Sequence, residues 1–388
     1  MSQKNTTTQV NELLAQVKTL SSSLNEADRA TVQQSLLDTL SDVETPYEYL
    51  FRLSGSHLQL ACARVGADIG LFRALVESRE PLPVDRLGER LSIAPGLLGR
   101  ILQYLASVGM VAETGTGLFS ADKITEELAS TSLDSGVHLL FDIHDRTFQA
   151  LPDFLAEHRY QEVNDIRNTV FQKAFDTNLS IYEYLVHHPQ LQAHMQDAMK
   201  LHQPEGDWLS VFPADEIVGN QQTAPDPARV LFVDIGGGMG QQCIRFRERY
   251  PDLAGRVILQ DIPQTINRVP KPMPNGIEAV PHSFEDPQPI KNAKFYYLRN
   301  VLHGLPDSHC VQVLKTLIPA MNEESRLIID DVVLPDHGVS RQAAQLDFIM
   351  LASIAGKKRT RAGYKVLDIR TYTWPLQDSL ILAMPAQL

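Results

Sequence analysis

Apolar residues recur at three- and four-residue spacing over residues 9–43 and 46–78, which predicts mostly helical segments there. The stretch "VDRLGERLSIAPGLLGRILQYLASVGMVAETGTGLFSAD" then predicts a short helix, a turn, a second helix and a small hairpin with Gly115 and Gly117 at its tip. That order is a winged-helix pattern. Residues 135–212 are predicted helical again, most clearly in "FQKAFDTNLSIYEYLVHHPQLQAHMQDAMK". The period changes at about residue 227. From there "RVLFVDIGGG", "RVILQDIP", "IEAVPHSF", "AKFYYLRNVLH", "SRLIIDDVVL", "YKVLDIRTY" and "SLILAMP" read as strands separated by helical crossovers. Such alternation predicts a mostly parallel, doubly wound sheet, with the helix at 340–355 as one crossover. The polar segment "PADEIVGNQQTAPDPAR", rich in Pro and Gly, marks a boundary near 213–227. The expected divisions are 1–130, 131–226 and 227–388.

Bulk composition narrows the function. The 388 residues suffice for two or three domains, and 43% hydrophobic with 21% charged residues is ordinary for a globular protein. A net charge of −12 disfavours nucleic acid and anionic lipid as partners. DNA reading by the winged helix is disfavoured further, because its second helix offers only Arg100 as a cation. The N-terminus has no apolar signal region, and no apolar run approaches the roughly 18–20 residues of a spanning helix. Cys62, Cys243 and Cys310 lie far apart without metal spacing, so buried thiols in a reducing, cytosolic compartment are expected, and no metal.

The strongest motif is "VLFVDIGGGMGQQCIRFRERY". A buried strand ends at Asp234, Gly236, Gly237, Gly238 and Gly240 follow, and a helix begins. Glycines allow a sharp turn and a close ligand. About twenty residues beyond the last glycine, Asp261 ends the next strand, where a carboxylate can accept both ribose hydroxyls of a nucleoside. NAD is the rival cofactor, but D-x-G-G-G-x-G is not the dinucleotide G-x-G-x-x-G, and Asp234 precedes the glycines. That order resembles class I S-adenosyl-L-methionine (SAM) proteins. In "PHSFED", Phe284 is placed to cover the adenine, with Glu285 or Asp286 near its amino group, an ordinary turn being the alternative.

The succession of helical arm, winged helix, helical linker, "VDIGGGMG", "LQDIP", "YYLRNVLHGLPDSHC", "LIIDDVVLP" and "DFIMLASIAGKKRT" resembles the fungal and plant-type small-molecule O-methyltransferases over nearly the whole chain. The resemblance implies an α/β class I SAM-dependent methyltransferase (Rossmann-like) domain at 227–388. It also implies an α-helical, winged-helix dimerisation domain at 1–130, a linker at 131–226 contributing to the substrate pocket, and a homodimer. It makes His303 the general base, oriented by an acid in the Asp330–Asp331 segment. A second family acid falls in "GKKRT", where this chain has Lys358. Gly304–Leu305 replaces the Asp-Trp that follows the family's His. Only Arg361 separates "GKKRT" from "AGYKV", so a family helix is absent there, through a trimmed wall or an altered gene product.

These departures resemble the methyltransferase-like pericyclases of fungal 2-pyridone alkaloid pathways. That resemblance implies a Lys at the lost acid's position contacting a substrate carbonyl, matched by Lys358. It implies an Arg and a His in contact with substrate, matched by Arg299 and His138, with His144 competing for the second role. SAM would be bound without being consumed. A pericyclic step needs shape, dryness and donors aimed at an oxygen that gains electron density. Phe175, Trp208, Phe348 and Met350 are candidate pocket walls, plain core being the competing assignment. Lys358 as a solvated lysine on a working methyltransferase, and Arg299 pinning only loop or cofactor, are the competing assignments for those residues. Three functions follow: a SAM-binding pericyclase on a 2-pyridone alcohol, an O-methyltransferase on a phenolic or polyketide hydroxyl, and a non-catalytic SAM-binding regulator.

Overall fold

The structure, a computed structural model, describes residues 3–199, 207–212, 227–364, 368–373 and 376–383. The chain divides into two compact units, one of residues 1–39, 204–351 and 355–388, the other of 40–203 and 352–354. The winged helix and the helices after it lie in one unit, and most of the expected boundary segment, 213–226, is outside the described residues.

In the helical unit, Thr45 starts the helix Pro46–Asp68 with a capping box. Its hydroxyl accepts the Glu48 N–H at 3.3 Å, and the Glu48 carboxylate accepts the Thr45 N–H at 2.8 Å. The helix expected over 46–78 breaks at Gly70, whose φ of 71° no helix accommodates, and resumes as Leu71–Ser78. The winged helix comprises Val84–Leu91, Pro95–Ser107 and a small sheet of β1 (Leu82–Pro83), β2 (Ala112–Gly115) and β3 (Leu118–Ser120) in the order β1-β3-β2. Leu87, Leu98, Leu102, Leu105 and Phe119 form its buried centre. The segment expected to be most clearly helical forms three short helices over residues 170–198. Asp176 ends Val170–Phe175 at φ 49°, Ser180 caps Ile181–Val186, and Pro189 forces a new start at Pro189–Ala198.

The other unit holds an eight-stranded sheet. Its strands are β4 (Val230–Ile235), β5 (Arg256–Asp261), β6 (Glu278–Pro281), β7 (Phe295–Arg299), β8 (Arg326–Leu334), β9 (Arg359–Thr360), β10 (Asp368–Thr371) and β11 (Asp378–Ala383). The order is β10-β11-β8-β7-β4-β5-β6, with β9 beside β8. β4 to β9 pair in parallel, and β11 runs antiparallel between β8 and β10. β4 and β8 are buried almost end to end, as strands covered on both faces must be. On one face Phe232, Leu259, Tyr297 and Ile328 cluster with Phe246 of the helix Gln241–Arg249. On the other, Val233, Ile258, Leu298 and Ile329 cluster with Val313 and Leu317 of the helix Asp307–Leu317. Period-two alternation therefore sends the adjacent Asp330 and Asp331 of β8 to opposite faces.

Ser340 caps the helix Arg341–Ile354, its hydroxyl accepting the Ala343 N–H at 3.2 Å. This is the expected crossover. After Thr360 the described residues contain only a 3-10 turn, Ala362–Tyr364, before β10. All three cysteines are free thiols, Cys243 and Cys310 buried. Among the described residues no helix is long and apolar enough to cross a membrane, and no three His, Cys, Asp or Glu side chains are grouped to hold a metal.

Candidate functional site

β4 brings Asp234 to its carboxyl end, where the chain turns through the glycines into Gln241–Arg249. A Cβ at Gly237 would lie within 3.0 Å of the Asp234 carboxyl and of Leu259. Gly238 sits at φ 60° with open space above it, and its N–H donates to Asp261 Oδ2 at 2.9 Å. Asp261 Oδ1 accepts the Ile262 N–H at 2.8 Å, so the loop and the β5 acid form one hydrogen-bonded piece. Asp234 is 1% exposed, and among the described residues its Oδ2 meets only the Cys243 thiol at 3.7 Å and its Oδ1 has no partner. Burial pushes the Asp234 pKa up to about 7, although the Cys243 hydrogen bond and the Arg299 charge pull it down. A buried carboxylate with an unfilled acceptor is a place for a cation. Phe284 is half-buried against the core beside the loop, and Glu285 is exposed.

The second half of the site is built on β8 and the turn Leu302–Gly304. Asp331 Oδ1 accepts from Lys358 Nζ at 2.9 Å and from the Val332 N–H at 2.8 Å, and lies 3.0 Å from His303 Nδ1. Asp331 Oδ2 accepts the His303 backbone N–H at 3.1 Å. Lys358 Nζ also hydrogen-bonds His303 Nδ1. The Lys358 and Asp331 side chains are each 1% exposed and that of His303 is 17% exposed, so Lys358 is not a solvated surface lysine. Burial alone would raise the Asp331 pKa. The Lys358 ammonium and the hydrogen bonds that reach the carboxyl from Lys358 and from the His303 turn outweigh it and hold the carboxyl far below the usual carboxylate range.

Residues 356–359 are fastened to the turn that carries His303. The Lys357 N–H donates to the His303 carbonyl at 2.9 Å. Arg359 donates through Nη1 to the Leu302 carbonyl at 2.9 Å, through Nη2 to the Leu305 carbonyl at 3.0 Å and through Nε to Asp307 at 2.9 Å. The Lys358 N–H donates to Asp347 Oδ1 at 2.6 Å. A Cβ at Gly356 would fall within 3.0 Å of the His303 carbonyl oxygen. Gly356→Ala must therefore move the turn. Misplacing a reacting group by about an ångström costs on the order of 10²-fold in rate. Turnover in Gly356→Ala is expected to fall that far, with circular dichroism and cofactor affinity unchanged; wild-type turnover would show that the close approach is idle.

The O-methyltransferase domain family matches residues 148–370. O-methyltransferase dpfgI of Gibberella zeae is 63% identical over 372 residues, 96% of this chain and 97% of that protein. The chain belongs to the O-methyltransferase family. A solved structure of LepI in complex with SAM superposes on this family member with a TM-score of 0.88 at 34% identity, covering 98% of this chain and 99% of that one. Another, described as a pericyclic reaction enzyme, gives 0.87 at 35% identity over 96% and 98% of the two chains. The fold is accordingly the class I SAM-dependent methyltransferase fold behind a helical, winged-helix N-terminal region.

SAM is the cofactor, and the residues of this O-methyltransferase homologue fit it. The orphaned Asp234 Oδ1 suits an ammonium, the open Gly238 a close ligand backbone, and Asp261 a ribose diol. When bound, SAM supplies an electrophilic methyl group and a sulfonium charge. Asp261→Ala is expected to weaken SAM binding about tenfold or more, since hydrogen bonds to a charged group are lost. Calorimetry giving wild-type affinity would refute the ribose assignment.

The remaining expected residues fall in different places. Arg299 is 13% exposed and commits Nη1 to Asp330 at 3.1 Å. Asp330 also accepts from the hydroxyls of Tyr297 and, at 2.5 Å, Tyr372. Burial lifts Asp330 to about 6, against the pull of Arg299 and the two hydroxyls. Trp208, expected at a pocket wall, is core. It has no exposed surface, stacks among Phe232, Phe246 and Tyr297, and its indole N–H donates to Gln242 at 2.9 Å. Phe348 is 49% exposed on Arg341–Ile354, and Met350 is half-buried beside Gly356. His138 and Phe175 belong to the helical unit. His138 is buried, stacked on His194 at 4.2 Å, with Nδ1 3.6 Å from Asp142. His144 lies on the π-helical turn Leu140–Asp145, its Nδ1 without a partner and its pKa driven down to about 4 by burial. Phe175 is half-buried, stacked on Phe171 and capped by the Arg146 guanidinium at 4.3 Å.

The sequence reading missed Gly356, Arg359 and Asp347. Gly356 and Arg359 leave their trace in the G-K-x-R-T frame kept around an altered residue, and Asp347 stands nine residues before it.

Proposed function

We propose that this protein is a pericyclase of fungal secondary metabolism built on the O-methyltransferase fold. It holds SAM without consuming it, assists loss of water from a 2-pyridone alcohol, and directs the resulting quinone methide through an Alder-ene or hetero-Diels–Alder closure. The dehydration breaks the alcohol's C–O bond and the pyridone enol's O–H bond, the hydroxyl leaving with that proton as water, and the closure is an isomerisation, so no further reactant is needed. The observation that carries this reading is the Lys358 ammonium, buried against Asp331 and His303 where the family resemblance places a second acid. A cation there suits an oxygen gaining electron density better than it suits a base. The likeness to LepI and to the pericyclic reaction enzyme at 34% and 35% identity across nearly both chains supports it. His303 and Arg299 supply the donors, with Lys358 behind His303.

A second reading, SAM-dependent methyl transfer to a phenolic or polyketide hydroxyl, is favoured by the 63% identity to O-methyltransferase dpfgI and by the 3.0 Å approach of His303 Nδ1 to Asp331. Mass spectrometry of the protein with SAM and a panel of phenols and 2-pyridone alcohols separates the two. Intact SAM with a pyridone that loses water and gives one isomer is the expected result. S-adenosylhomocysteine with an acceptor heavier by one methylene would establish the second reading instead. Neither product would leave the non-catalytic regulator.

The assembly we propose is a cytosolic homodimer. Tyr47, Leu50, Phe51 and Leu53 of the helix Pro46–Asp68 are 56% to 69% exposed, an apolar surface that a second copy would cover. Light scattering should return twice the chain mass of 43.3 kDa; a single-chain mass would remove the dimer.

A further inference from the structure

The accessible polar edge of the Lys358–Asp331–His303 cluster belongs to His303, since the Lys358 side chain is 1% exposed. What that edge offers depends on which ring nitrogen holds the proton, and the partners of the other nitrogen decide it. A carboxylate oxygen has about two lone-pair sites. Those of Asp331 Oδ1 are filled by the Val332 N–H at 2.8 Å and Lys358 Nζ at 2.9 Å, and Oδ2 takes the His303 backbone N–H at 3.1 Å. A proton on His303 Nδ1 would be a third donor on Oδ1 and would also point at an ammonium, which has donors only. With Nδ1 bare, the ammonium donates once to Asp331 and once to the ring, and each acceptor of the cluster has a donor.

We infer that Lys358 acts through His303: it holds the imidazole as the Nε2–H tautomer, so that the ring meets the substrate as a hydrogen-bond donor and not as a base. A general base would need the reverse, with Nε2 bare and Nδ1–H on the carboxylate. Nε2 has no protein partner among the described residues and is left to the ligand. The ligand class follows. The site takes its substrate through an oxygen that arrives ionised or gathers negative charge, such as the enolate or carbonyl oxygen of a vinylogous acid. A neutral phenol, which must first lose a proton, is a poor fit. Lys358 is thus a positioning residue and His303 the contact. This rests on the proposed reading that His303 faces the substrate, and of the two proposed reactions it favours the first, since a base at Nε2 would need the other tautomer.

The test is the two-bond 1H–15N spectrum of the full chain labelled with 15N-histidine, the His303 signals assigned by their loss in His303→Gln. The expected wild-type spectrum shows a pyridine-type Nδ1 and a pyrrole-type Nε2. Lys358→Glu, which supplies an acceptor in place of the donor, should reverse the pair. Lys358→Gln, whose amide still donates, should keep it. Calorimetry on the same proteins then compares an acyl 4-hydroxy-2-pyridone, at a pH where its enol is ionised, with a neutral phenol. Wild type should favour the enolate about tenfold or more, the size of a charge-assisted hydrogen bond, and Lys358→Glu should lose that preference. A protonated Nδ1 in the wild-type protein overturns the tautomer. A reversed tautomer in Lys358→Glu with unchanged binding of both probes overturns the ligand class and the role of His303 as the contact.

Discussion

Lys358→Met is expected to lower the unfolding free energy by on the order of 3 kcal/mol, read from the denaturant midpoint at neutral pH. The loss comes from Asp331, which keeps its burial and loses its closest cation. His303 limits the damage, because its Nδ1 is 3.0 Å from Asp331 and, in the other tautomer, donates there. The double variant Lys358→Met/His303→Leu removes that refuge and should lose more than the two single losses added together. The pH dependence has a definite sign. A carboxyl held below its unfolded pKa contributes stability that is complete above the ordinary carboxylate range, near pH 4, and is lost as pH falls below it. Wild type should therefore outlast Lys358→Met in mild acid by a margin that closes as Asp331 protonates. Product control should go with the cation: the variant still binds SAM, and the isomer mixture approaches that formed without protein. Equal midpoints would show that the buried pair breaks even, and unchanged product ratios would remove Lys358 from the chemistry.

Asp234→Asn is expected to cut SAM affinity on the order of 10²-fold while making the cofactor-free protein more stable above pH 7. Both effects come from one buried carboxyl. Its pKa, pushed up to about 7, exceeds the 3.8 of an ordinary aspartate, so the native state holds a proton that the unfolded chain has lost. Such a group favours folding less and less as pH rises from about 4 to 7, a cost on the order of a few kcal/mol once ionised. Asparagine has no charge to desolvate. A bound ammonium would pull the carboxyl back down, so SAM binding near pH 7 should release up to one proton and weaken as pH drops below 7. Calorimetry in two buffers of different ionisation enthalpy reads that proton directly. Equal proton release by wild type and Asp234→Asn would assign it to another group.

What the sequence showed and what it hid have physical reasons. The glycine loop and Asp261 were legible because their geometry is local: a strand end, a positive φ at Gly238, and an acid one strand on. His303, the Asp330–Asp331 segment and Lys358 stood out because each sits in a short stretch of fixed order, while the choice of Asp331 over Asp330 needed the structure. Arg359 did not, because its work is done on carbonyls some 50 residues away, and a carbonyl leaves no mark on composition. Gly356 was hidden for the same reason, since its lack of a side chain matters only against the His303 carbonyl. Trp208 stayed open between pocket wall and core because a lone tryptophan before the sheet has no periodicity to say which surface it meets. The helical period at 171–199 was legible, and its breaks fall where Asp176, Ser180 and Pro189 each stop or restart a turn.

The way residues 356–359 grip the His303 turn has a consequence for how this fold changes trade. The grip is made by a bare α-carbon, a main-chain N–H and the arginine one position on, and none of it uses the side chain at 358. That side chain is an interchangeable bit in a fixed chuck. A single codon can pass from acid to cation without shifting the histidine it addresses, so a lineage can try a new chemistry before rebuilding anything around it.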